Sequence, residues 1–433
     1  MSTSLTLNRR TLLMLGAGAG VMALVGCSGG AQGGAGAGKV EWIESRSGSE
    51  PTVKALKAVV KKYQETHPDF RLAINPMPDR PAFDQKIRLL ASSNALPAMF
   101  DADPEPFFGK IAKSGAVADI GALYKEFGIT DKFFPISLKY PKWDDGSLDL
   151  ITLNANIEYF WYNRELFDKA GVTVPSTLEE FTEVCSRLHE AGITPIAING
   201  KDGWPYYRYL AMVPFRRVGN DFINGLKDGD ESMGSEIGLE AIRFLQKLAP
   251  FFQDGFSNTA YTDASDLFTT KKAAMFYSST YGLPNFLNSS GDLDDAYGYF
   301  PIPPTGGADA MPTSDGFANS GVGTAVRADA LTDELKDFLQ FFFDNYGQIA
   351  FEQFRVIPSL RPTLNDSTPD IYRKVIEDIG NVKTYAKVWD VELDPSVNTV
   401  LGRESANLLT GQTTPEKFAA RVDAAIKEAV ASR

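Results

Sequence analysis

KVEWIESRSGSEPTVKALKAVVKKYQETHPDFRLAINPMPDRPAFDQKIRLLASSNALPAMFD, residues 39–101, carries the architecture. Lys39 to Glu44 reads as a strand. Ser49-Glu50-Pro51 then opens a helix, with Val53, Leu56, Val59, Val60 and Tyr63 at helical spacing. Phe70 to Asn75 alternates like a second strand, Ala82 to Ser92 reads as a second helix, and Pro97 to Asp101 is a short apolar strand ending in an acid. Strands alternating with helices predict a parallel sheet covered by helices. Such sheets bind ligands at the carboxyl ends of their strands. Glu44-Ser45-Arg46 and Asp101-Ala102-Asp103 fall at such ends.

Further along, Ser176 and Glu179 have capping-box spacing at a helix start, where each would satisfy a free amide. Ile237 to Leu248 forms another helix. Thr414-Pro415-Glu416 starts the last, with Pro at the first helical position, where its missing donor does no harm. The chain has 433 residues, 43% hydrophobic and 23% charged, an ordinary globular composition with room for two or three domains. Its net charge of −12 repels nucleic acid and anionic lipid heads. The two histidines, His67 and His189, stand far apart, which argues against a histidine-rich metal site. Cys185, in the helical pattern Phe181, Val184, Cys185, Leu188, reads as a buried apolar residue.

The amino terminus reads as an address. Arg9-Arg10 precedes an apolar, Gly- and Ala-rich run, and Leu24-Val25-Gly26-Cys27 closes it. This is the layout of a secretory signal peptide over 1–26, with a twin-arginine-like start and a lipobox whose Cys27 would be acylated. The run is too short and glycine-rich for a spanning helix. Residues 27–38 hold Cys27 and a Gly-rich linker with too little apolar surface to fold. The expected location is the outer face of the cytoplasmic membrane, with contact only through lipid.

Tyr162 to Val172 (YNRELFDKAGV), followed by Val174-Pro175-Ser176-Thr177 and Phe181, resembles the signature of extracellular solute-binding proteins of the carbohydrate type, the maltose-binding-protein-like class serving ATP-driven importers. Phe268 to Phe276 (FTTKKAAMF) resembles that family's F-x-x-G-K-A-A-M strand, with Lys271 where Gly is usual. Ile357-Pro358-Ser359 resembles its crossing between lobes, and Leu408 to Phe418 (LLTGQTTPEKF) its C-terminal helix start. The resemblance implies a two-lobed α/β periplasmic-binding fold, each lobe a mainly parallel sheet flanked by helices. One lobe would hold 39–154 plus 304–356, the other 157–302 plus 358–433. It implies a monomeric receptor that takes a sugar in the interlobe cleft and hands it to an ABC permease, with no cofactor, no metal and no covalent chemistry.

Sugars need hydrogen-bonding groups around the ring and flat aromatic walls against its faces. Carried over position by position, the family's ligand contacts fall on Glu44, Arg46, Asp101, Asp103 and Asn156. An aromatic loop supplies Trp204, Tyr206 and Tyr207, and the position after the A-A-M strand is Tyr281. Apart from the resemblance, Phe317 and Asn319, before a Gly-rich strand at a lobe crossing, and Arg361 and Trp389, of unusual polarity or size near the second crossing, are further candidates for the cleft. The same scaffold could instead hold a polyol, a glycerophosphodiester or a metal chelate. A glycoside hydrolase would need two carboxylates flanking one bond, for which Asp101 with Asp103 or Asp144 with Asp145 are the available pairs. No G-x-S-x-G elbow or P-loop is present.

Overall fold

The computed structural model describes residues 40–432. The signal peptide, the lipobox with Cys27 and the Gly-rich linker lie outside them. The described strands are β1 (Val40–Glu44), β2 (Leu72–Pro76), β3 (Met99–Ala102), β4 (Asn156–Asn163), β5 (Thr194–Ala197), β6 (Ala273–Ser279), β7 (Tyr297–Phe300), β8 (Ala318–Asn319) and β9 (Gly323–Val326).

The first sheet has the order β2-β1-β3-β9. β1 pairs parallel with β2 and β3, as the strand–helix alternation predicts, and β9 closes the edge antiparallel to β3. The first helix, Pro51–Gln64, buries Val53, Leu56, Val59, Val60 and Tyr63, the residues spaced for its inner face. The long helix Asp333–Phe354 packs beside it through Phe338, Phe342 and Tyr346, so residues nearly 300 positions apart share one core.

The second sheet has the order β5-β6-β4-β7, with β8 paired to β4. Here the expectation of a mainly parallel sheet is corrected: only β5–β6 is parallel, while β4 runs antiparallel to β6, β7 and β8. β5 and β6 are linked by the helices between residues 200 and 269, the crossover that parallel neighbours require. β4 enters directly from the first sheet and so is free to run the other way.

The two sheets join where three segments run side by side. Ile151 bridges Thr324 and Asn154 bridges Pro358, both antiparallel. The Ala155 amide donates to the Ile357 carbonyl at 3.1 Å, and the Ser359 amide to the Leu153 carbonyl at 3.0 Å. Ile357-Pro358-Ser359 is thus a crossing segment. Between β8 and β9, Gly321 takes a φ of +67°, which lets the chain leave one sheet and enter the other within four residues.

One local reading shifts and one holds. The helix Leu178–Glu190 is capped by Thr177, not Ser176: Thr177 Oγ1 accepts from the Glu180 amide at 3.1 Å. Glu180 in turn accepts from the Ser176 amide and hydroxyl, both at 2.7 Å. The capping pair sits one residue later than its spacing suggested. Cys185 is fully buried on that helix, and burial pushes its thiol well above the ordinary range.

Candidate functional site

A cleft of ≈ 500 Å³ lies where the two sheets meet. One wall comes from the first sheet: Ser45 and Arg46 beyond β1, Asp103 and Glu105 beyond β3. The floor is the crossing, with Asn154, Asn156, Asn319 and Gly321. The facing wall is the start of the helix Trp204–Val218 together with Ser278, Ser279 and Tyr281 at the end of β6. The carboxyl ends of β1 and β3 therefore open into it, as strand order predicts.

The stretch read as an aromatic loop is a helix. Gly203 precedes it with a φ of +78°, and Pro205 occupies its first turn. Residues three and four apart share a helical face, so Trp204, Tyr207 and Arg208 reach the cleft. Tyr206 sits off that face and is buried in the core against Phe256, which corrects its place among the cleft residues.

Arg208 organises this wall. Its guanidinium lies 5.3 Å from the ring centres of both Trp204 and Phe317. Its Nε donates to Glu158 at 3.1–3.2 Å and its terminal nitrogen to Asp390 at 2.8 Å. Burial alone would lower the pKa of this group; the Glu158 and Asp390 carboxylates outweigh it and raise it. Glu158 also accepts from Asn319 Nδ2 at 2.8 Å, and Asn319 Oδ1 accepts from Asn156 Nδ2 at 3.3 Å and from the Gly321 amide at 2.9 Å. A single polar network thus ties the aromatic wall to the crossing. Glu158, Arg208 and Asp390 were missed from sequence; the first is hidden inside an aromatic strand, and their convergence is tertiary.

The first-sheet wall has its own ion network. Arg46 donates to Glu44 at 2.7 Å, to Asp101 at 3.2 Å and to the Val322 carbonyl at 2.6 Å. Asp101 further accepts from Trp42 Nε1, the Ser45 amide and hydroxyl, and Thr324, all within 3.1 Å. Glu44 and Asp101 are both fully buried and line no part of the cleft. Their role is corrected accordingly: they hold Arg46, and only Arg46 faces the cavity. Burial pushes Glu44 well above the usual carboxylate range, partly offset by Arg46. Asp103 does line the cleft, paired with Arg80, which also holds Asp84. Beside them Glu105 is pushed up to about 7 by burial and then by the Asp103 and Asp84 charges.

Of the remaining candidates, Asn156, Asn319, Tyr207 and Tyr281 line the cleft. Phe317 is wholly buried under Arg208, and Trp389 is buried against Phe222, so both support the wall from behind. Arg361 is exposed over Phe134, away from the cleft. No group of three or more potential metal ligands occurs among the described residues. Nor is any described helix long and apolar enough to cross a membrane.

The comparisons agree with this architecture. A probable sugar-binding periplasmic protein of Rhizobium meliloti (strain 1021) is 29% identical over 181 residues, 41% of this chain and 43% of that protein. The multiple sugar-binding protein of Streptococcus mutans serotype c is 22% identical over 314 residues, 70% of this chain and 69% of that one. The match to the Rhizobium protein thus spans less than half of its length. Among solved structures, a chitin oligosaccharide binding protein superposes with a TM-score of 0.78 at 24% identity, covering 91% of this chain and 99% of its own; the likeness is one of fold, a two-lobed scaffold. A model of the bacterial extracellular solute-binding protein family matches residues 47–349, well over half the chain, and the chain belongs to that family.

Proposed function

We propose that this chain is an extracytoplasmic receptor that binds a sugar or oligosaccharide in the cleft and delivers it to the permease of an ATP-driven importer. The observation that supports it best is the cleft wall itself. Trp204 and Tyr281 flank a floor of asparagine amides, the pairing of flat apolar faces with neutral hydrogen-bonding groups that a pyranose ring needs. The names of the Rhizobium and Streptococcus relatives point the same way. Two lobes, about 40–154 plus 323–356 and 157–319 plus 358–432, would close on the ligand about the triple crossing, with the boundary expected at 302–304 moved to the far side of β8. Since β8 pairs with β4, the third crossing falls between Asn319 and Gly323. Closure is favoured only by contacts the ligand makes in the closed state. Acylation at Cys27 would tether the receptor; Cys27→Ser should release it from the membrane fraction.

Calorimetry against a panel of neutral mono- and oligosaccharides tests the reading. Micromolar affinity, about −8 kcal/mol, is expected for at least one member. Trp204→Ala should weaken that ligand at least about tenfold by removing the stacking face. Silence across the panel overturns the sugar assignment. Identification of ligand retained through purification, by native mass spectrometry, provides the independent check.

A further inference from the structure

Building on the sugar-receptor reading, we propose that the cleft discriminates by charge: it accepts neutral glycosides and rejects their acidic counterparts, the uronates and sugar phosphates. Two independent observations carry this.

The first is the charge balance of the lining. Four arginines, Arg46, Arg80, Arg88 and Arg208, face seven carboxyl groups, and no lysine or histidine lines the cleft. Three of the four are already engaged in ion pairs. Arg46 is held by Glu44 and Asp101, Arg80 by Asp84 and Asp103, and Arg208 by Glu158 and Asp390. Arg88 lies over the Phe107 ring, 5.3 Å from its centre, in the field of Asp84 and Glu105. Bidentate capture of a carboxylate or phosphate by Arg46, Arg80 or Arg208 would require the guanidinium to abandon a partner and leave a carboxylate stranded, while Arg88, exposed and without an ion pair among the described residues, stands in the field of two acids that compete for it. Conversely, the side chains of Glu50, Glu105 and Asp202 face the cleft with no ion pair to an arginine or lysine within 4.0 Å. Protonating Glu105 still leaves six acids to four arginines.

The second is the supply of neutral partners. Asn154 Oδ1, Tyr281 OH and Asn398 Oδ1 are buried, belong to cleft-lining residues and take no hydrogen bond within the described residues. An unsatisfied buried polar atom costs about 1–3 kcal/mol, so these atoms gain from a hydroxyl or amide proton brought within reach as the lobes close on the ligand. An amide oxygen accepts readily from a sugar hydroxyl and gains nothing from a carboxylate, which offers no proton, whereas the Tyr281 hydroxyl serves either. Three of the four arginines in this cleft are thus occupied in holding carboxylates, the unpaired charge is mainly acidic, and recognition is left to neutral atoms.

The test takes each neutral sugar of the panel that binds, together with its uronate and its 2-amino congener, and measures affinity by calorimetry from about 20 mM to 0.5 M salt. At low salt the uronate is expected to bind at least about tenfold more weakly than the neutral sugar and to gain affinity as salt screens the repulsion. The neutral sugar should be insensitive to salt and the amino sugar no weaker than about threefold below it. Asp390→Asn, which removes one acid and frees a guanidinium proton, should narrow the gap between neutral sugar and uronate. A uronate that matches or exceeds the neutral sugar at low salt, or a variant that changes both affinities by one common factor, overturns the charge rule while leaving the sugar reading intact. Absence of any neutral binder overturns the sugar reading instead.

Discussion

At the residue scale, the cleft is governed by buried charges held in fixed company. Arg208 is the clearest case, with two aromatic rings each 5.3 Å from its guanidinium and two carboxylates paired to it. Arg208→Met would leave Glu158, only 5% exposed, with no cation. It should cost about 3–5 kcal/mol in urea denaturation, and Arg208→Lys should recover less than half of that, because an ammonium cannot bond Glu158 and Asp390 in the same plane. Glu105 makes a pH-dependent contribution. Its carboxyl titrates near 7 in the folded chain against an ordinary value of 4.5, so the folded state holds the proton more tightly. Stability therefore falls as pH rises from about 4.5 to about 7 and then levels off. Glu105→Gln should remove this fall, and the variant should gain about 2 kcal/mol over the parent on going from pH 4.5 to pH 8 in parallel melts.

At the element scale, short backbone features set which side chains reach the site. Lys271, in the turn before β6, takes a φ of +59° where the family's motif has Gly. The left-handed region costs a residue with a Cβ about 1 kcal/mol, while its exposed ion pair with Glu165 returns a few tenths. Lys271→Gly should therefore raise the denaturation midpoint slightly, by about 0.5 kcal/mol, with ligand affinity unchanged. The helix Arg164–Ala170 depends on its cap: buried Asn163 accepts from the Leu166 amide at 3.0 Å. Asn163→Ala should cost about 1 kcal/mol and loosen the end of β4, the strand that carries Asn156 and Glu158 into the cleft.

At the scale of the whole molecule, the triple crossing sets the mechanics. The bridges Ile151–Thr324 and Asn154–Pro358 make a narrow ribbon between two large cores. Lys201 and Asp79, 2.9 Å apart and both substantially exposed, pair across the rim from elements of opposite sheets, too weakly to hold a closed state alone. In the proposed closure, ligand is then the main closing force. A binding sugar at a hundredfold its Kd should add about 2.7 kcal/mol to stability. It should also slow amide exchange in residues 151–156 and 319–324 and contract the molecule in solution scattering. Stabilisation without contraction would place the ligand on one lobe only.

Residues 39–101 determined by themselves that a helix-covered parallel sheet exists, because periodicity and strand–helix alternation are local signals. The apolar face of Pro51–Gln64 followed directly from them. Sequence order also placed Arg46 and Asp103 at strand ends that open into the cleft. Tertiary structure alone decided which neighbouring acids face a ligand. Glu44 and Asp101 sit at the same strand ends as Arg46 and Asp103, yet they turn inward to neutralise Arg46, since a buried guanidinium must be paired. It alone made the second sheet mainly antiparallel, and it alone brought Glu158, Arg208 and Asp390 together from positions as much as 232 residues apart. Charge pairing depends on which segments meet in space, and no local pattern records that meeting.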